Sequence, residues 1–317
     1  MTDVIMQKRK LGNAGPEVSL VGLGCNNFGG RIDLEASRRV IDKALDLGIT
    51  LIDTADTYGN RGGSEEILGK ILGARRKDIV LATKFGLPMD DAGKLRGASR
   101  RYITQAIEAS LRRLRTDWID LYQLHRPDPQ TPIEETLRTL DELVKAGKVR
   151  FIGCSNLSAV QLEEAQAVAQ RLGLASFVCC QDEYSLLERD PEKDLVPVMR
   201  RDGLGLLPYF PLASGLLTGK YKSGAPLPPG TRLANSSRHA AGLLTTRNWR
   251  IVEALGSLAT QRGHTLLELA MSWLASRPYI SSIIAGATRP EQVEQNAAAV
   301  GWNLSAADLA EIDRITL

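Results

Sequence analysis

The sequence predicts a (β/α)8 TIM barrel with an N-terminal β-hairpin, and three observations predict it. Eight short apolar runs of strand length alternate with longer segments whose apolar residues recur at helical spacing. Such strict alternation requires a parallel sheet, because each parallel return needs a crossover. Several of the runs also end on ionisable or polar residues, as buried parallel strands do when they open at their carboxyl ends into a polar cleft. Barrels of this kind run past about 250 residues as one unit, so 1–317 reads as a single barrel domain.

The elements follow in order. Lys8 to Leu11, a Gly12-Asn13-Ala14-Gly15-Pro16 turn and Val18 to Leu20 form the hairpin. The strand-like runs are Leu20 to Gly24, Thr50 to Asp53, Ile79 to Lys84, Ile119 to His125, Val149 to Ser155, Phe177 to Gln181, Gly205 to Tyr209 and Ser281 to Gly286. Helical spacing marks Leu34 to Leu47, Ser64 to Leu72, Arg101 to Leu114, Ile133 to Ala146, Ala159 to Leu172, Leu195 to Arg201, Trp249 to Ala275 with a break near Gly263, and Pro290 to Val300. Gly48 after Leu47, Gly147 after Ala146 and Ser158 before Ala159 supply ordinary stop and start signals.

An open doubly wound sheet is the rival, and two segments bear on it. Gly22-Leu23-Gly24-Cys25-Asn26-Asn27 has Asn27 where a dinucleotide fingerprint needs its third glycine, and Ser214 to Tyr221 lacks the first glycine and the final Ser/Thr of a phosphate loop. Both read as turns.

With 43% hydrophobic residues, 24% charged residues and a formal net charge of +3, the chain has an ordinary globular composition. It carries no basic stripe of the kind nucleic acid requires. The amino terminus lacks an apolar stretch long enough for a signal peptide and nothing approaches a membrane span, so a cytoplasmic protein is expected. Cys25, Cys154, Cys179 and Cys180 contain no C-x-x-C pair and read as buried free thiols, while His125, His239 and His264 have no ligand spacing, so no metal site is expected.

In a barrel the chemistry collects at the carboxyl ends of the strands. Those ends carry Gly24 to Asn27, Asp53 with Tyr58, Lys84, His125, Ser155 with Asn156, Gln181, Tyr209, and Thr288 with Arg289. Each has an ordinary structural role open to it when taken singly; together on neighbouring strands they make a set that moves a proton. A phenol with a pKa near 10 is protonated at neutral pH and serves as a general acid if its anion is stabilised. A lysine does that, and an aspartate keeps the ammonium charged and aimed. With no nucleophile–base pair and no metal cage, the set suits protonation of an oxygen gaining negative charge, as in carbonyl reduction.

The ordered motifs Asp53-Thr54-Ala55-Asp56-Thr57-Tyr58-Gly59 with Ser64-Glu65-Glu66, Thr83-Lys84, Leu121-Tyr122-Gln123-Leu124-His125, Arg150 to Asn156, Gln181-Asp182-Glu183-Tyr184, Pro211 to Tyr221 and Gly286 to Asn296 resemble those of the aldo-keto reductase family over nearly the whole chain. The resemblance implies that Tyr58 is the proton donor, that Lys84 and Asp53 tune it and that His125 orients the carbonyl. It also implies a nicotinamide cofactor across the barrel mouth without a Rossmann domain. Gly24, Cys25, Asn26 and Asp53 would border it, Ser155, Asn156 and Gln181 would hold the carboxamide, and Tyr209 would stack on the nicotinamide. Pro211, Leu212, Ser214, Gly215, Leu217 and Lys220 would span the pyrophosphate. Gly286, Thr288 and Arg289 would hold a 2′-phosphate, with Gln292, Gln295 and Asn296 beside the adenine. An anion favours a helix amino terminus and Arg289 adds a charged fork, so NADPH is preferred to NADH.

The chain departs from the family pattern at Gln295, at Asp182 and at Cys25-Asn26-Asn27. The segment 226–248 is long for barrel scaffolding and reads either as a loop over the pocket, with Arg232 and His239 toward a substrate, or as a solvated excursion. The expected partner is a small carbonyl or alcohol compound, not nucleic acid or membrane. The alternative from another class is a cofactor-bound redox-sensing or channel-associated regulatory subunit on the same barrel.

Overall fold

A computed structural model describes residues 6–235 and 237–317, the side chains of 237–239 apart. Strands β1 (Lys8–Lys10) and β2 (Glu17–Ser19) pair antiparallel, with Lys8 opposite Ser19. The parallel strands are β3 (Val21–Gly24), β4 (Leu51–Asp53), β5 (Val80–Phe85), β6 (Ile119–Leu124), β7 (Val149–Ser155), β8 (Phe177–Glu183), β9 (Gly205–Tyr209) and β10 (Ile283–Gly286). Their order is β10-β3-β4-β5-β6-β7-β8-β9. The ring is drawn shut where Leu206 N–H donates to Tyr279 O (2.8 Å) and Ser281 N–H donates to Leu206 O (3.0 Å). This is the expected barrel and hairpin.

Between the strands lie α1 (Leu34–Asp46), α2 (Tyr58–Ile71), α3 (Arg100–Leu114), α4 (Ile133–Lys145), α5 (Ala159–Leu172) and α6 (Leu195–Asp202). After β9 come α7 (Ser237–Leu243), α8 (Thr246–Gln261) and α9 (Leu266–Ala275), and after β10 come α10 (Pro290–Ala298) and α11 (Ala306–Thr316). Local chemistry sets the ends. Ser158 with Gln161 and Thr265 with Glu268 form capping boxes, while Gly173 and Gly203 close helices in the left-handed conformation that glycine adopts without cost. The predicted break near Gly263 falls between α8 and α9, where Gly263 has φ +77°. Two helices are additional to the sequence reading: α11, whose Ser305–Asp308 capping box starts it, and α7, which lies inside the segment read as irregular.

Two apolar layers result. The barrel interior packs Leu11 and Val18 of the hairpin against Leu51, Ala82, Leu121, Cys179, Leu207 and Ile284, so the hairpin plugs the amino-terminal mouth. Arg9 fastens it there, donating to the carbonyls of Ala275 (2.5 Å), Ile280 (2.9 Å) and Arg277 (3.1 Å). The larger layer lies between strands and helices and includes Cys25, Cys154 and Cys180. All four cysteines are free and buried.

Strand alternation then determines what comes above the plug. The residues two positions beyond Leu51, Ala82, Leu121 and Cys179 also point inward, and they are Asp53, Lys84, Gln123 and Gln181. The barrel therefore changes from apolar to polar within one layer, at its carboxyl end.

Candidate active site

The inward polar layer is a connected network. Lys84 Nζ donates to Asp53 Oδ2 (2.7 Å) and to Thr54 O (2.8 Å), and it is fully buried. Asp53 Oδ1 accepts from Gln181 Nε2 (2.9 Å) and Gln123 Nε2 (3.3 Å). A buried ion pair offsets its desolvation only when hydrogen bonds satisfy the remaining lone pairs and protons, and these amides do so. Burial alone would lower the Lys84 ammonium, but Asp53 and Tyr58 more than offset it and leave its pKa raised.

Tyr58 stands above this pair, half-buried, with Lys84 Nζ 5.0 Å from its ring centre. Its position is set by an unusual turn. Gly59, Asn60 and Arg61 all adopt left-handed backbone (φ 67°, 61° and 68°), and the regular part of α2 begins only after Gly62. A Cβ on Gly59 would lie 2.4 Å from Phe28 O, so only glycine lets the turn pass the loop after β3. Non-glycine residues at positive φ cost of order 1 kcal/mol each, strain that persists where surrounding structure over-determines it. Burial raises the Tyr58 hydroxyl's pKa, Lys84 pulls it down and Asp53 raises it again, leaving it above the ordinary phenol value.

His125 follows β6 and meets the Tyr58 ring edge-on at 5.8 Å. Burial first, then the charges of Lys84 and Arg126, lower its pKa to about 3, so the imidazole is neutral. Among the described residues its buried Nδ1 has no hydrogen-bond partner.

Asn156 ties this end together from a left-handed backbone (φ 60°). Its Nδ2 donates to His125 O (3.1 Å) and Ser155 Oγ (2.7 Å), and its Oδ1 accepts from Tyr209 OH (2.8 Å). Its own N–H donates to Asp182 Oδ1 (3.1 Å). Burial lifts the Asp182 carboxyl to about 7, and its other, buried oxygen has no partner among the described residues.

A cleft of about 1310 Å³ runs from Tyr58 to Arg289. It brings together Gly24, Asn26, Asp53, Tyr58, His125, Ser155, Asn156, Gln181, Tyr209, Pro211, Leu212, Ser214, Gly215, Lys220, Gly286, Thr288, Arg289, Gln292, Gln295 and Asn296. Lys84 lies beneath its floor. Cys25 and Leu217 are not on its wall: both side chains are fully buried, and the Cys25 thiol faces Leu23 O at 3.8 Å. Among the described residues no cluster of three or more His, Cys, Asp and Glu is placed to hold a metal ion, and no helix is long and apolar enough to cross a membrane.

The two readings left open for 226–248 divide along the chain. Pro229, Gly230, Thr231 and Arg232 line the cleft. Arg232 donates to Asn26 Oδ1 and Asn27 Oδ1 (3.3 Å each) and lies 5.2 Å over the Phe210 ring, while Arg31 donates to Gly230 O (3.1 Å). The His239 side chain lies outside the described residues. Sequence reasoning also missed Arg31, Arg126, Glu183 and Glu268 on the cleft wall. Arg126 had a signal, since it directly follows His125 at a strand end.

Comparison with known proteins agrees with this architecture. The profile of the aldo/keto reductase family matches residues 20–316. A probable voltage-gated potassium channel subunit beta of Arabidopsis thaliana is 39% identical, over 93% of this chain and 91% of its own. An L-glyceraldehyde 3-phosphate reductase of Escherichia coli is 34% identical, over 98% and 92%. An aldo-keto reductase of Bacillus subtilis is 37% identical, over 98% and 93%. The barrel, the cleft at its carboxyl end and a match across nearly the whole length lead to one conclusion: the chain belongs to the aldo/keto reductase family, an oxidoreductase family acting on carbonyl groups.

Proposed function

We propose that the protein is an NADPH-dependent reductase of aldehydes and ketones, residues 1–317 acting as one barrel unit, with Tyr58 as proton donor. The observation that carries this reading is the Tyr58 phenol held above the Lys84–Asp53 pair, beside a neutral His125, at the head of a cleft ending at Arg289. The lining fits a dinucleotide: it combines the amides of Asn156 and Gln181, the Lys220 ammonium, and Arg289 at the amino terminus of α10. Ser155, Asn156 and Gln181 would hold the carboxamide, Tyr209 would stack on the ring, and Thr288 and Arg289 would take the 2′-phosphate. When bound, the cofactor supplies the hydride.

The chain's own groups do the rest. A phenol with a raised pKa stays protonated at neutral pH, as an acid must, and the charged Lys84 ammonium stabilises the phenolate as it forms. Asp53 keeps that ammonium charged and aimed without touching the substrate. Neutral His125 offers a hydrogen bond to the carbonyl oxygen and does not compete as an acid. The reading of a regulatory, channel-associated subunit has less support, because Asp53, Tyr58, Lys84 and His125, the residues expected to move a proton, lie together at the head of the cleft. Steady-state oxidation of NADPH with a panel of simple aldehydes and ketones separates the two. A catalyst cycles through many turnovers; a signal that stops near one turnover per chain would sink the reductase reading.

A further inference from the structure

The cations around the cleft are not equivalent. Lys220 and Arg289 stand along the run proposed for the phosphates. Arg232 is engaged by Asn26, Asn27 and the Phe210 face, and Arg31 by Gly230 O. Arg126 differs from all of them. It lines the cleft at the end holding Tyr58 and His125, is exposed to solvent, and among the described residues makes no hydrogen bond or ion pair.

Its charge is nonetheless felt where the chemistry would occur: it contributes to holding His125 neutral and pulls on the Tyr209 phenol. The neighbouring acids do not neutralise it. Asp128 is committed to the N–H groups of Ala98 (2.8 Å) and Gln130 (3.0 Å) and to Thr131 Oγ1 (2.8 Å). Glu183 lines the same cleft but makes no ion pair with it, and burial first, then Glu188, raises its carboxyl. An unpaired guanidinium at the mouth of a site is a planar fork suited to two oxygens of one anion.

We propose that Arg126 receives an anionic group of the substrate, so that the preferred carbonyl compounds carry a carboxylate or phosphate a few bonds from the carbonyl carbon. This rests on the carbonyl-reduction reading and deepens it. The carbonyl faces Tyr58 and His125 while the anion is held at the rim, which fixes orientation as well as affinity. Because the site is solvent-exposed, added salt weakens the preference.

Matched pairs test it: succinic semialdehyde against butanal, and glycolaldehyde phosphate against glycolaldehyde. A second readout needs no turnover, namely calorimetric titration of the NADP+-loaded protein with 4-hydroxybutyrate against butan-1-ol. The expected result is a preference of about tenfold or more for at least one charged partner, carried by KM. Arg126→Gln reduces it to within about twofold by weakening the charged partner far more than the neutral one, and Arg126→Lys retains part of it. Whether the carboxylate or the phosphate shows the preference identifies the source of the anion. Absence of any preference in the wild type, or equal loss on charged and neutral partners in Arg126→Gln, overturns the proposal. If no aldehyde is turned over yet the charged alcohol binds through Arg126, the reductase reading fails and the anion site stands.

Discussion

The two ends of the cleft are built on opposite principles. At the Tyr58 end the groups beneath the phenol are dry and tied down: Lys84 is 0% exposed, Asp53 2% and His125 8%, and Gln123, Gln181, Ser155 and Asn156 fill the spaces between them. At the other end Arg289 and Gln295 are exposed, and Thr288 is held by Gln292 of its own helix (2.8 Å from N–H to Oε1). A proton-donating group needs its charge environment organised in advance, because electrostatic help is worth most when no reorganisation is needed during reaction. The phosphate contact proposed for Arg289 would act in solvent, on residues that the barrel does not depend on.

The comparison breaks most severely if the dry end tolerates the loss of its charge pair. Lys84→Met leaves Asp53 buried and unpaired, and the expected cost is about 3–5 kcal/mol of stability together with activity. Chemical denaturation of the variant beside wild type reads it directly, and a loss below about 1 kcal/mol would mean that the pair is solvated.

A second prediction concerns acid. The folded-state pKa of His125 is lowered from 6.5 to about 3, so on acidification the unfolded chain takes up this proton first. Stability is therefore lost as pH falls from about 6.5 toward 3, by a few kcal/mol at most. His125→Gln should flatten that part of the profile in thermal melts; an unchanged slope would show that the imidazole is charged in the folded protein. The smallest effect belongs to the open end. Arg289→Ala should weaken NADPH binding by on the order of 2 kcal/mol and NADH binding much less, with the fold intact. Equal losses for both cofactors would remove Arg289 from the phosphate.

What the sequence made legible follows the same division. The strands and the inward residues Asp53, Lys84 and Gln181 could be read because period-2 alternation in a buried parallel strand leaves few choices. Tyr58 was placed beyond its strand correctly, but the left-handed turn from Gly59 to Gly62 that fixes it depends on the close passage of Phe28 and Gly29, which no local pattern announces. Residues 229–232 reach the cleft through contacts to Asn26, Asn27 and Arg31 some two hundred positions away. The side chains of Cys25 and Leu217 are turned into the core, because a motif gives position along a loop but not the direction of each side chain.

In the proposed mechanism Tyr58 donates the proton and the network beneath it makes that donation possible. Tyr58→Phe removes the hydroxyl and leaves the ring, Lys84 and Asp53 in place, so turnover with NADPH and an aldehyde can be measured alongside NADPH affinity in one variant. The expected result is an NADPH dissociation constant within about twofold of wild type and a loss of about 10²-fold or more in kcat. Wild-type turnover in Tyr58→Phe would contradict it.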